Sequence, residues 1–215
     1  NIPFFLSKIC EFFAFYTFKK RIMKNLLGGE AAVNGDSGAE YYFRYINGDD
    51  TGIEDIVRAY KDGLIFFING YVKDIYIAEE ITEDVFFRLM VKKPPYKAKY
   101  SFKTWLYTIG RNMALDYLRK CKTRKEISDC EMPNPYYEEM NLADKVIRNE
   151  DKIVLYEALS KLPEQYGQAL KLTFLQGFTN EQAAKIMHKT KRQIEMLVYR
   201  GKIALKKQLQ KEGFV

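Results

Sequence analysis

Apolar residues recur at intervals of three and four through most of the chain after residue 50, which is the period of an α-helix with one buried face. The first such stretch, residues 51–71, predicts a long core helix, and residues 51–54 (TGIE) have the spacing of a capping box at its start. Its apolar positions are Ile53, Ile56, Val57, Tyr60, Leu64, Phe67, Ile68 and Tyr71.

A second helix is predicted from about residue 77 until just before Pro94 and Pro95, because proline removes an amide donor and restricts the residue before it. One face carries the apolar stripe Ala78, Ile81, Val85 and Leu89. Acids on the flank of a helix are usually solvated, but an aromatic residue among them makes a protein-docking face an equal alternative. The residues of this second face are Glu80, Glu83, Asp84 and Phe87.

A third helix is predicted from residue 102. Its spacing leaves Lys103, Tyr107 and Arg111 together on a side that differs from the core side. The core side consists of Phe102, Leu106, Ile109 and Met113.

Aromatic and basic residues alternate through residues 96–105, a segment that contains the only tryptophan, Trp105. Cations follow phosphates, and aromatic rings stack on exposed bases for roughly 1–3 kcal/mol each. The segment therefore predicts a surface for single-stranded nucleic acid. The alternative is that Trp105 and the tyrosines close the core, and for Trp105 alone this second interpretation is favoured.

The C-terminal part predicts a helix-turn-helix. Residues 162–163 (LP) begin one helix, and capping boxes at residues 179–182 and 190–193 begin two more, which are joined by His188 and Lys189. On the last helix Ile194, Val198 and Leu205 face the core, with Gly201 on the same stripe. The side left for the major groove of DNA carries Lys191, Arg192, Gln193, Glu195, Met196, Tyr199 and Arg200.

Charge along the chain agrees with a nucleic-acid partner. The net charge is +7, and it is concentrated in two blocks: residues 92–125 carry eleven Lys/Arg against one acid, and residues 185–211 carry nine against one. Residues 126–151 lie between the blocks with eight acids against two bases. A basic run on one helix is often a solvated face. Two basic blocks, one in an aromatic-rich segment and the other in a helix-turn-helix, favour an anionic ligand instead.

Together these patterns predict an all-α fold of two small helical domains. The predicted limits are an N-terminal extension and connector at 1–45, a helical domain at 46–125, a flexible acidic linker at 126–149 and the helix-turn-helix domain at 150–215. A chain of 215 residues is long enough for two small cores or one larger one.

Several chemistries are disfavoured by the residue content. Cys10, Cys121 and Cys130 are too widely spaced for a disulfide framework or a metal knuckle, and one histidine, His188, cannot complete a Cys/His site. The chain has no phosphate-binding glycine loop and no hydrolase or metalloprotease motif. We therefore predict no catalytic site, no metal and no cofactor or small-molecule substrate, and a reducing cytoplasm as the compartment.

The first 27 residues are the least interpretable part of the chain. Residues 2–18 are rich in aromatics, but Lys8 and Glu11 interrupt them, and the basic residues follow the apolar run where a signal peptide would place them first. A docked or disordered extension is favoured over a membrane anchor, and an upstream extension before Met23 is a further alternative.

Three motifs together resemble the second conserved region of bacterial RNA polymerase sigma factors of the extracytoplasmic-function type. They are AEEITEDVFFRL at 78–89, FKTWLYTIGRN at 102–112 and ALDYLR at 114–119. Glu83 stands where that family often has Gln, which hardly changes docking. Gly110 replaces the usual Ala, which costs about 1 kcal/mol of helix propensity and permits a close approach.

The resemblance implies roles for these residues. The acidic helix would dock on the clamp of the largest catalytic subunit of the polymerase, through Glu80, Glu83, Asp84 and Phe87. The loop after it would capture a base flipped from the minus-ten promoter element, through Tyr96, Lys97, Lys99, Tyr100 and Phe102. The next helix would support strand opening, through Lys103, Trp105, Tyr107, Arg111 and Asn112.

The helix-turn-helix is similar to the fourth conserved region of the same family, which reads the minus-thirty-five element and touches the polymerase flap. Glu195 and Leu197 sit where the family commonly carries basic residues. Glu195 can accept a hydrogen bond from a cytosine amino group, but it also weakens attraction to phosphates.

The function expected from the sequence is transcription initiation: binding core RNA polymerase and directing it to a subset of promoters, without enzymatic activity. The expected partners are the polymerase and promoter DNA, and an anti-sigma factor is a candidate regulator. A stand-alone helix-turn-helix regulator is the alternative, and a nucleic-acid-processing enzyme is the weakest interpretation.

Overall fold

A computed structural model describes residues 37–127 and 150–211 of the protein. Within these ranges the chain is built from α-helices without a strand, which confirms the predicted fold class. The helices are α1 Ser37–Ile46, α2 Thr51–Val72, α3 Ile75–Lys92, α4 Phe102–Ile127, α5 Glu150–Ser160, α6 Glu164–Leu170 with a π-helical continuation Lys171–Leu175, α7 Asn180–Met187 and α8 Lys191–Lys211.

The N-terminal domain packs α1, α3 and α4 around the long helix α2. The predicted apolar stripes face inward, and side chains such as Ile56, Leu89 and Leu106 are fully buried. A Cβ atom at Gly110 would lie 2.9 Å from Cδ1 of Leu64, so α4 lies close to α2 here and an alanine would have to displace the Leu64 side chain. The close approach predicted at Gly110 is confirmed.

Helix α1 differs from the expectation that the folded domain begins at residue 46. Tyr42 and Tyr45 are buried, and their hydroxyls donate hydrogen bonds to the carbonyl oxygens of Pro94 (2.7 Å) and Met90 (3.1 Å). These bonds hold α1 against the end of α3. With only ten residues, α1 is too short to establish a helical period in the sequence.

Two helix starts also differ from their predictions. Helix α2 has no capping box at Thr51: the carboxylate of Asp49 instead accepts from the amide and the hydroxyl of Thr51. Helix α3 begins two residues before the predicted position, at Ile75, because Asp74 caps it by accepting from two amides of its first turn.

The C-terminal domain contains the predicted helix-turn-helix. The capping boxes that begin α7 and α8 are both present: Oε1 of Gln182 and of Gln193 accepts from the amide of Thr179 and of Thr190, and each threonine hydroxyl accepts from the amide of that glutamine. His188 takes the left-handed conformation in the turn between them (φ 52°). Helices α5, α6 and α8 enclose a small core of Leu155, Ala158, Leu159, Leu162, Leu170, Leu205 and Leu209.

The two domains share their larger hydrophobic core. Helix α4 packs against α7, and α2 packs against α6. The ring of Tyr107 lies between Phe67 of the first domain and Phe178 of the second, at centroid distances of 5.2 and 5.0 Å. The sequence predicts two separate domains, and in this structure those domains pack against each other.

Two sequence expectations fall outside the described residues. These are the role of residues 1–27 and the flexible linker, of which all but residues 126 and 127 lies outside. None of the helices in the described ranges combines the length and the apolarity that crossing a membrane requires.

Candidate polymerase and nucleic-acid interface

The acidic face of α3 is exposed as its spacing predicts. Glu80, Glu83 and Asp84 are solvent-accessible, and Phe87 among them is 58 % exposed. Val91 extends the apolar part of this face by one turn. The opposite side of α3 is fixed in the core, so the acids and Phe87 form a rigid surface that combines negative charge with an exposed aromatic ring, a composition suited to a protein partner.

The loop between α3 and α4 is held by an aromatic cluster, which we define as Tyr42, Tyr96, Phe102 and Trp105. Neighbouring rings in the cluster lie 5.4 to 5.6 Å apart. Phe102 is fully buried, whereas Tyr96 and Trp105 are partly buried. The cluster therefore fixes the base of the loop, and the interpretation of Trp105 as a core residue is partly correct.

The tip of this loop presents its cations and one tyrosine. Lys97 and Lys99 are exposed, and Tyr100 is 38 % exposed. The hydroxyl of Tyr96 donates to the carbonyl of Tyr100 across 2.6 Å, which ties the tip to the aromatic cluster. The Lys185 ammonium lies 4.6 Å from the Tyr100 ring, and together with Lys99 it lowers the pKa of the Tyr100 hydroxyl.

The outer side of α4 departs from the expectation that Tyr107 is exposed. Tyr107 is 1 % exposed, and its hydroxyl donates to Oε1 of Gln176 across 2.8 Å. Burial raises the pKa of this hydroxyl well above its ordinary value. Lys103 donates to the carbonyl oxygen of Gln176 (2.7 Å), and its ammonium lies 4.8 Å from the ring of Phe178. Tyr107, like Phe102, therefore has no surface available to DNA in this arrangement.

The next turn of α4 remains accessible. Asn112 is exposed, and Arg111 is partly buried. Burial raises the pKa of Tyr71 to about 12, and the guanidinium of Arg111 acts on it in the opposite direction. The predicted strand-opening residues therefore fall into two groups. The C-terminal domain covers α4 near Lys103 and Tyr107, whereas α4 is accessible to solvent near Asn112.

Helix α8 presents its whole predicted groove-facing set to solvent, while Ile194 and Leu205 are buried beneath it. Lys191 at the start of the helix forms an ion pair with Glu181 of α7, which raises the pKa of Lys191 and lowers that of Glu181. The exposed residues are Lys191, Arg192, Gln193, Glu195, Met196, Tyr199 and Arg200.

Sequence reasoning missed the residues that cover the outer side of α4. Gln176 and Phe178 lie in the connection between the π-helical turn and α7, where no periodic pattern predicts burial. In the sequence, Lys185 is distinguished only as the first residue of the basic block 185–211. No sequence pattern marks Lys171, which is 7 % exposed and whose ammonium lies 4.6 Å from the ring of Phe66.

Both domains match models of known protein families. The family model for Sigma-70 region 2 matches residues 56–124, and the model for Sigma-70, region 4 matches residues 152–205. Together they span more than half of the chain.

Individual relatives and a solved structure agree with this assignment. The chain is 27% identical to the ECF RNA polymerase sigma factor SigM of Bacillus subtilis (strain 168), over 72% of this chain and 93% of the relative. It is also 27% identical to SigW of the same organism, over 75% and 91%. The fold is shared with the sigma factor RpoE of Bartonella quintana, solved in complex with the anti-sigma factor NepR, with a TM-score of 0.59 and 22% identity over 73% of this chain and 96% of that one. The chain therefore belongs to the extracytoplasmic-function group of sigma-70-type RNA polymerase sigma factors.

Proposed function

We propose that this sigma factor distributes its work over three surfaces: the acidic face of α3 for the polymerase, the loop before α4 for the minus-ten element, and α8 for the minus-thirty-five element. As a member of its family, the chain directs RNA polymerase to promoters. The observation that carries the assignment is the exposure of all three surfaces on rigid helical supports.

The acidic face of α3 is assigned to the clamp of the largest polymerase subunit. The exposed ring of Phe87 would enter an apolar pocket, and Glu80, Glu83 and Asp84 would meet basic residues around it. A buried aromatic anchor within a charged rim is the arrangement that gives protein interfaces both affinity and orientation.

The loop tip is assigned to capture of a flipped base. Tyr100 supplies a ring for stacking, Lys97 and Lys99 supply charge for the phosphates, and the aromatic cluster keeps the tip in place. Trp105, Arg111 and Asn112 continue this surface along α4. Phe102 supports it from the core, and Tyr107 and Lys103 contribute to it only when the outer side of α4 is uncovered.

Helix α8 is assigned to the major groove of the minus-thirty-five element. Arg192 and Arg200 are suited to phosphates or guanine edges, and Glu195 is suited to a cytosine amino group. Because Glu195 also repels phosphates, it lowers the sequence-independent affinity for DNA while it favours one base pair over the others. Lys191 reaches DNA only if its ion pair with Glu181 gives way.

The energetics suit a factor that acts only together with the polymerase. Opening duplex DNA costs roughly 0.6–2.2 kcal/mol per stacked step, and capturing one or two bases returns only part of that. Polymerase contacts must supply the remaining free energy of opening, so the isolated chain is expected to melt DNA poorly. We also expect it to catalyse no reaction. We assign it to the cytoplasm, with an anti-sigma factor as a further candidate partner.

In-vitro transcription with purified core polymerase on a library of genomic promoter fragments tests this function. Promoter-specific transcripts that appear only when the chain is added are the expected result. Tight binding to duplex sites without any such transcript would contradict the proposal and favour a stand-alone regulator. That alternative is not favoured, because the match to region 2 has no place in a simple helix-turn-helix regulator.

A further inference from the structure

We infer that the contact between α2 and α6 contains a binding site for hydrogen phosphate, held between Lys73 and Lys171. Lys73 follows the last residue of α2, and Lys171 follows the last residue of α6. Because the two helices belong to different domains, a ligand at this site would join the domains. Neither lysine belongs to the three surfaces assigned above to polymerase and DNA, so the inference does not rest on the proposed function.

Lys171 is buried without an opposite charge. Its ammonium lies against the ring of Phe66, and a Cβ atom at Gly70 would lie 3.0 Å from Nζ of Lys171 and 2.5 Å from Nε2 of Gln168. Among the described residues, the charge that acts on Lys171 is that of Lys73, which has the same sign. Burying an unpaired charge is costly, so a buried cation is normally paired with an anion. An external anion would offset this cost.

Buried polar atoms near the two lysines also lack partners. Oε1 of Gln168 and Nε of Arg111 are buried, and neither has a hydrogen-bond partner in the part of the chain that the structure describes. Arg111 is connected to Lys73 through shared neighbours, since Glu164 acts on both Lys73 and Tyr71 while Arg111 acts on Tyr71. Buried polar groups are nearly always hydrogen-bonded, so two such atoms indicate a ligand or water between α2, α4 and α6.

The charges at the site favour a doubly charged oxyanion. Lys73, Arg111 and Lys171 carry three positive charges when Lys171 is protonated, whereas Glu164 is the carboxylate that acts on this group among the described residues. The excess of two positive charges matches a phosphate, which carries roughly −1.5 to −2 at neutral pH. A water molecule could satisfy the polar atoms but would leave the charge of Lys171 unpaired.

Hydrogen phosphate also carries both kinds of hydrogen-bonding group that the site requires. Its unprotonated oxygens accept from ammonium and guanidinium donors, and its hydroxyl can donate to Oε1 of Gln168. Sulfate has the same charge and shape, but it lacks this hydroxyl and would leave Oε1 without a donor. Lys73 is solvent-accessible, so the ligand can reach the site from the surface.

Ligand binding is coupled to protonation of Lys171. In the free chain burial, with a smaller contribution from Lys73, lowers the pKa of Lys171 to about 7. At about pH 8 this side chain is therefore mostly neutral. A bound dianion favours the charged form and raises the pKa again, so Lys171 takes up a proton when the ligand binds.

The other charged and titratable groups at the contact lie on or directly after the helices that meet there. They are Tyr71, Lys73, Arg111, Tyr156 and Glu164. Burial raises the pKa of both tyrosines, which stay protonated, and the guanidinium stays charged. Loss of part of its hydration lowers the pKa of Lys73, against the opposing effect of Glu164. A variant at Lys171 is therefore needed to separate its proton uptake from that of Lys73.

Isothermal titration calorimetry of the full chain with inorganic phosphate tests the site. Titrations at about pH 8 and constant ionic strength, in two phosphate-free buffers with different ionisation enthalpies, give the affinity and the number of protons taken up. We expect uptake of close to one proton for each phosphate bound. Sulfate, titrated in the same way, should bind at least about fivefold more weakly.

Lys171→Met should abolish the proton uptake and weaken phosphate binding at least about tenfold, because the variant removes the titrating cation. Its apolar side chain suits the buried position, so the variant is expected to fold, which circular dichroism checks. Lys73→Met should weaken phosphate binding but keep part of the uptake. Lys120→Met changes an exposed lysine of α4 and is the matched control, which should keep both the affinity and the uptake.

Three results would overturn the inference. Absence of phosphate binding to the natural chain would remove the site. Binding without proton uptake, or with equal affinity in Lys171→Met, would place the phosphate on the exposed basic surfaces. Equal affinity for sulfate would contradict the assignment to hydrogen phosphate, because Oε1 of Gln168 would then play no part in binding.

Discussion

The hydroxyl of Tyr107 donates a hydrogen bond to Oε1 of Gln176, 69 residues further along the chain, across 2.8 Å. This bond joins the helix expected to open promoter DNA to the domain expected to read the minus-thirty-five element. It lies beside the ring contact of Tyr107 with Phe178, so one tyrosine contributes both a polar and an apolar link between the domains.

Tyr107→Phe should weaken this contact and lower the free energy of unfolding by about 1 kcal/mol. The ring stays, but the partly buried side-chain oxygen of Gln176 loses its donor. Urea denaturation followed by circular dichroism measures the change. Tyr199→Phe removes a hydroxyl from an exposed tyrosine and is the matched control; an equal loss there would show that the effect does not come from the interface.

Lys171→Met should raise the free energy of unfolding near pH 7, by on the order of 1–4 kcal/mol. Burial, with a smaller contribution from Lys73, lowers the pKa of Lys171 to about 7 from the usual 10.5. Between these two values the unfolded chain binds more protons at this residue than the folded chain. The stability of the natural protein should therefore rise with pH from about 7 to about 10, relative to that of the variant.

The difference in unfolding free energy between the natural chain and Lys171→Met, measured by urea denaturation at several pH values, isolates this residue from other titrating groups. We expect the difference to shrink steadily as the pH rises through the window. Lys120→Met changes an exposed lysine and should show no such trend. A difference independent of pH would mean that Lys171 stays protonated in the folded state, supported by the ring of Phe66.

Glu83→Lys combined with Asp84→Lys should weaken binding to core polymerase at least tenfold, because two attractive contacts on the exposed α3 face become repulsive. Fluorescence anisotropy of the labelled chain against core polymerase measures the affinity. Glu54→Lys with Asp62→Lys makes the same charge change at exposed positions of α2. If both pairs weaken binding equally, net charge rather than the α3 face explains the effect.

Tyr100→Ala should impair promoter opening more than formation of the closed complex, since the ring is assigned to a base that becomes available only after strand separation. Loss of one stacking contact corresponds to roughly 1–3 kcal/mol, or about fivefold to 150-fold in the population of the open complex. Permanganate reactivity of unpaired thymines reports opening. Tyr100→Phe keeps the ring and should open normally, whereas a normal Tyr100→Ala complex would move the capture pocket elsewhere.

Local pattern was sufficient for most of the helices and for the surfaces on them. The stripe from Ala78 to Leu89 and the caps at Thr179 and Thr190 depend on residues within a few positions of one another, so their consequences can be derived from spacing alone. The predicted capping box at Thr51 is wrong because the amide and the hydroxyl of Thr51 donate to the carboxylate of Asp49, which lies just outside the motif.

The sequence by itself determined that this protein is an all-helical sigma factor, with an acidic face on α3, a basic aromatic loop before α4 and a capped recognition helix. Only the tertiary structure decided which parts of those surfaces are free. Helical periodicity identifies one buried side of α4, but it carries no information on a second partner that covers the flank of Tyr107. Gln176 and Phe178 reach that flank from far along the chain, through contacts that depend on how two complete domains pack.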